Sequence, residues 1–157
     1  MPAMPGMAPS KDVVGGPIHS FLDVAALELR GSVLLAQGKS ADADAAFVKA
    51  ADGERELGYR EPPNYIRPVG ETRGDALMRA GRYSDAKAAY EAALVERPNS
   101  GYPLFGIAEA DAASDQLTTA ASDYRLLLAA WKNADNNLPQ LETARAWLAA
   151  HGGTGAE

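Results

Sequence analysis

Carboxylates are the commonest chemistry-bearing side chains in this chain, with 21 Asp and Glu against 15 Lys and Arg. A carboxylate works as a general base only beside a positioned partner, and no spacing here supplies one. His19 and His151 stand at opposite ends of the sequence, with no H-E-x-x-H and no Ser/His/Asp arrangement between them. Asp42, Asp44 and Asp85 fall at helix starts and read as solvated charges favoured by the helix dipole. Gly15-Gly16 and Gly152-Gly153 flank the patterned region instead of joining a strand to a helix, so neither is a phosphate cradle. There is no cysteine, which removes disulfides, thiolate zinc sites, iron–sulfur clusters and a cysteine nucleophile together. Met1, Met4 and Met7 recur every third residue beside prolines. Thioethers are Cu(I) ligands, but the simpler reading of this segment is leader sequence. The residues predict no enzyme activity, no catalytic or metal-binding side chain, and no cofactor.

Charge narrows the partners. The formal net charge is −6, and no Lys/Arg run offers the basic face that phosphates or an anionic bilayer require. No nucleic-acid or membrane partner is expected. No apolar run approaches the roughly 20 residues that cross a bilayer. The N-terminus lacks the basic and then apolar order of a signal peptide. The compartment is left open between cytoplasmic and exported, and the chain reads equally as free-standing or as a fragment.

The elements that must position any site are helical. Alanine fills 32 of 157 positions, while isoleucine occurs three times and valine seven. Alanine loses no side-chain entropy in a helix, and strand formers are scarce. Residues 1–17 are rich in proline and glycine and are expected to be disordered. A first helix spans Ile18 to Gln37 and ends at Gly38. Ser40 is the expected N-cap of a second, with Gly58 closing it. Tyr59 to Pro68 holds three prolines and reads as a loop. Further helices are expected over Pro68–Ala80, from a Ser84 cap to the Pro98-Asn99-Ser100 break, and over Tyr102–Ala113 and Thr118–Trp131. The last covers Pro139–Ala150, ahead of a flexible tail at 151–157.

An internal repeat organises these segments. Glu28, Arg30, Gly31, Leu34, Gly38, Ala43 and Ala50 recur as Glu71, Arg73, Gly74, Leu77, Gly81, Ala86 and Ala93, with Phe47 matched by Tyr90. A second step takes Gly74, Ala86 and Tyr90 to Ala108, Ala120 and Tyr124. This order of small and large residues in a helix–turn–helix unit resembles the tetratricopeptide repeat (TPR). The resemblance implies an all-α solenoid of three helical hairpins, at about 24–66, 67–100 and 101–134, plus a capping helix at 139–150, together forming one domain over 18–150. Small residues at Gly31, Gly74 and Ala108 are expected to admit the partner helix. Phe47, Tyr90 and Tyr124 are expected to fill the space between units. Extra residues between units one and two should lengthen the second helix and form the proline loop. The wording of that loop and of the Arg97-Pro98-Asn99-Ser100-Gly101 turn also resembles the C-terminal region of larger bacterial TPR proteins. Two features depart from the pattern. Arg30 and Arg73 are expected either to snorkel or to pair with Glu28 and Glu71, and Asp111 should loosen its helix.

The resemblance implies binding by the concave face, lined by the first helix of each unit. Registering the units places Ala25, Glu28, Ser32 and Leu35 there, then Glu71, Asp75, Met78 and Arg79, then Tyr102, Phe105 and Glu109. Acids mixed with apolar groups suit a protein or peptide segment with apolar anchors and a basic residue. Tyr59, Glu61 and Tyr65 of the loop are a candidate rim. Glu28, Ser32 and Thr72 stand where one TPR subtype carries a cationic clamp for chaperone tails, so that ligand is not expected. The competing reading is a terminal structural segment of a longer superhelix, stacked through the face of the first helix. A small-ligand or metal-binding protein is a more distant third.

Overall fold

The computed structural model describes residues 16–58 and 67–151. Seven helices follow in order: α1 Gly16–Ala36, α2 Ser40–Glu56, α3 Val69–Arg79, α4 Tyr83–Glu96, α5 Gly101–Ala113, α6 Leu117–Ala130 and α7 Pro139–His151. No strand occurs among the described residues. Residues 1–15, 59–66 and 152–157 lie outside them, and with them the expected disorder of the N-terminus, the methionine triplet, the expected proline loop with its rim residues Tyr59, Glu61 and Tyr65, and the expected flexible tail.

The helices pair as α1/α2, α3/α4 and α5/α6, each pair stacks on the next, and α7 closes the end against α6. This is the expected all-α solenoid of three hairpins and a cap. Helix α2 has 17 residues against 14 in α4, as the inserted segment predicts.

One turn is used three times. Gly38, Gly81 and Asp115 close the first helix of each pair with φ of 74°, 71° and 59°. The next residue's N–H then reaches back to the carbonyl five positions earlier: Lys39 to Leu34, Arg82 to Leu77, Gln116 to Asp111, at 2.9–3.0 Å. This satisfies a carbonyl that the helix end leaves over. Lys39, Arg82 and Gln116 double as the N-caps of the helices that follow, without a side-chain capping bond. The expected serine caps are therefore corrected: Ser40 lies inside the first turn of α2 and Ser84 inside that of α4.

The core rests on rings that lie under glycines. A Cβ on Gly31 would stand 2.7 Å from the Phe47 ring, and one on Gly74 2.4 Å from the Tyr90 ring. Gly106 meets Tyr90 from the other side at 2.4 Å, so that ring is held between α3 and α5. Phe47, Tyr90 and Tyr124 are all buried. Tyr124 packs on Phe105 and on Trp147 of α7, with ring centroids 6.3 and 5.0 Å away. Phe47, Val69 and Tyr90 belong to one apolar cluster, and Tyr124, Leu127 and Leu141 to a second towards the C-terminus.

Ion pairs join the units, and here three expectations change. Asp44 is no simple solvated charge: it accepts from Arg73 at 3.2 Å and Arg82 at 3.1 Å, tying α2 to the second pair. Arg73 thus pairs with Asp44 and not with Glu71, while Arg30 is exposed. Asp111 does not loosen α5. It is buried, and both its oxygens accept from Lys87 Nζ of α4, at 2.9 and 2.8 Å.

Candidate functional site

The concave side is built from α3 and α5, with Tyr90 of α4 as its floor. Asp75 and Glu109 occupy equivalent positions one unit apart, and so do Tyr90 and Tyr124. The Tyr90 hydroxyl donates to Asp75 Oδ1 at 2.7 Å, and the Tyr124 hydroxyl donates to Glu109 Oε1. Each phenol rises from the buried face of the second helix of its pair and fixes a carboxylate on the first. Burial, and then the neighbouring carboxylate, raise both phenol pKa values well above the usual tyrosine range. Both tyrosines therefore stay neutral donors across the physiological range. Unit one cannot repeat the device, because Phe47 has no hydroxyl and Ser32 spends its own on the Glu28 carbonyl at 3.0 Å.

These residues line an open cavity of about 800 Å3. Seven of the eleven groove positions expected from the sequence border it: Glu71, Asp75, Met78, Arg79, Tyr102, Phe105 and Glu109. Ala25, Glu28, Ser32 and Leu35 of unit one do not. Leu35 is only 6% exposed and belongs to the apolar core, and Glu28 is 7% exposed beside α2. The groove thus opens on units two and three. Registering unit one on unit two put Leu35 in line with Met78, but the unit-one helix turns that position inward, onto the apolar cluster.

Charge in the cavity is balanced, with Arg67, Arg79 and Arg97 facing Glu71, Asp75 and Glu109. Arg67 pairs with Asp75 and, at 3.4 Å, with Glu71. Glu71 is buried, and burial raises its pKa against the pull of Arg67 and Arg97. Glu109 has no cation within salt-bridge distance among the described residues. Arg67 and Arg97, which sequence reasoning missed, lie at helix ends: Arg67 two residues before α3 and Arg97 just after α4. Each is followed by proline in the sequence, a signal that marks a break in the helix and not a groove position.

The tetratricopeptide repeat family model matches residues 71–100, which are α3 and α4. That match makes α3 and α4 a tetratricopeptide repeat, and the hairpins before and after them stack in the same way. Two solved TPR domains share the fold. The first TPR of Spaghetti (RPAP3), bound to the HSP90 peptide SRMEEVD, is 19% identical with a TM-score of 0.56, over 83% of this chain and 94% of that one. The first TPR domain of human RPAP3, solved by NMR, is 18% identical with a TM-score of 0.55, over 88% and 99%. At these identities the likeness is one of fold. No curated protein matches the chain in sequence.

Proposed function

We propose that this TPR chain is a protein-interaction module that takes a peptide segment in the groove of units two and three. One observation carries the reading: seven residues chosen from sequence register alone border a single open cavity. Met78, Phe105 and Tyr102 form its apolar side, suited to an apolar anchor. Glu109 is held by the Tyr124 hydroxyl and makes no salt bridge among the described residues, which suits a basic residue of the peptide. Because rigid helices hold these groups before binding, the ordering cost is low. The peptide carried by the Spaghetti domain supports a groove ligand of this general kind. A chaperone tail is not the proposed ligand: Glu28 and Ser32 bring a buried carboxylate and a spent hydroxyl to the first unit, where a cationic clamp would be needed.

The experiment is a peptide array followed by titration of the best binder. Phe105→Ala should weaken binding about tenfold or more, in the range of an interface anchor. Glu109→Gln should weaken only peptides that carry a basic residue. Circular dichroism of both variants keeps folding separate from binding. A binder whose affinity neither change moves would place the site elsewhere on the molecule.

A further inference from the structure

Helix α1 has two apolar faces, and only one is used. Val24, Gly31 and Leu35 are buried against the array. Two residues away from these, and so about 200° round the helix, lie Leu22, Ala26, Leu29 and Val33, and Ala36 continues the same stripe three residues on; all five are exposed. The three large ones are 61%, 67% and 45% exposed. A single exposed leucine is unremarkable, but these five follow one another at steps of four, three, four and three. That is the 3.5-residue spacing of a coiled-coil seam, with Leu22, Leu29 and Ala36 at d and Ala26 and Val33 at a.

We propose that this stripe is a self-association surface, on which a second copy of the chain packs its own α1 antiparallel about a two-fold axis. Charge chooses both the occupant and the direction. The e positions beside the seam are Asp23 and Arg30, both exposed. In an antiparallel pair, a faces d and e faces e. Leu22 then meets the second copy's Val33, Ala26 meets its Leu29, and Asp23 meets its Arg30. The two-fold repeats every one of these contacts, so the patch is complementary to itself. A parallel pair would set Arg30 against Ala25 and leave both charges unmatched. Alanines between the larger residues let the helix axes approach closely, within the about 8–10 Å of packed helices.

Two heptads make a small contact, in the weak class below about 1,200 Å2. Sedimentation equilibrium on the full chain should therefore span roughly 1 µM to 1 mM, bracketing the Kd expected of that class. The expected result is a monomer–dimer equilibrium within that span. Leu29→Glu, at a surface position, should abolish the dimer with the helical circular dichroism unchanged. Asp23→Arg or Arg30→Asp alone sets like charges together twice and should weaken association about tenfold; the double exchange should restore it. A chain that stays monomeric throughout would overturn the proposal. So would a dimer that Leu29→Glu leaves intact. Failure of the double exchange to restore association would overturn the antiparallel pairing.

Discussion

Gly74 and Gly106 press on the two faces of one ring, and the tolerance of each position follows from that contact. A methyl group at either would stand 2.4 Å from Tyr90, a distance that forces the ring to move. Overpacking of this kind costs about 1–3 kcal/mol. The ring also carries the hydroxyl that fixes Asp75, so its displacement reaches the groove. Gly74→Ala should lower the urea midpoint accordingly, although helix propensity alone would make the same change a gain of up to about 1 kcal/mol; a midpoint that stays or rises would show that the ring does not rest on Gly74. At this scale the sequence was informative. The register that set Gly74 over Tyr90 was legible in the repeat itself. The second contact, with Gly106, was not, because nothing in the spacing says which neighbouring unit a ring will lean towards. Asp75 and Glu109 border the cavity, while the phenols that fix them read in the sequence only as core. A hydroxyl at the rim of a buried ring gives no periodic signal.

Between elements, the junction of α2 and α3 depends on one carboxylate. Glu54 accepts the Val69 N–H at 2.8 Å and so supplies, from another helix, the cap that α3 otherwise lacks. Burial, with help from Glu96 and Glu28, pushes its pKa from the ordinary 4.5 up to about 7. Asp123, pushed up by burial and by the neighbouring Asp111, stands at about 6 against an ordinary 3.8. Both shifts have the same sign. The folded chain holds protons that the unfolded chain has already lost, so stability falls as pH rises. For Glu54 the favourable contribution is full below about pH 4.5 and is gone above about pH 7; for Asp123 the window runs from about 3.8 to about 6. The thermal midpoint should therefore decline between about pH 4 and about pH 7. Glu54→Gln keeps an acceptor for Val69 and removes the charge, so it should flatten the upper part of that decline. A midpoint that rises over the same interval would refute the assignment. Helix ends were the least legible elements. Ser40 and Ser84 carried the usual capping signal, but the Schellman turn before each helix had already placed the backbone one residue earlier.

For the molecule as a whole, the array is tied together by charges that cross from pair to pair. Asp44 in α2 and Lys87 in α4 hold equivalent positions with opposite signs, and each reaches the next pair: Asp44 to Arg73 and Arg82, Lys87 to Asp111. Asp111 is buried, so removing its partner strands a carboxylate out of water. Breaking such a pair costs about 3–5 kcal/mol, whereas replacing both partners with apolar residues is often close to neutral. Lys87→Met alone should therefore destabilise strongly, and Lys87→Met with Asp111→Leu should recover most of the loss in chemical unfolding. If the double variant is as unstable as the single one, the pair does more than compensate its own burial.

What the sequence determined by itself was the set of helices, their pairing and the register of rings under small residues. All of these follow from local periodicity repeated along the chain, and a repeat makes each unit evidence for the next. What the tertiary structure alone decided was where the groove opens and how the units are tied. Leu35 and Met78 share a register, yet one is buried in the core and the other borders the cavity. Asp111, which breaks the aromatic pattern, became an anchor because Lys87 lies across from it on another helix. Such pairings join residues far apart in the chain, and the free energy of a buried charge is set by whatever the fold brings beside it, which no local spacing encodes.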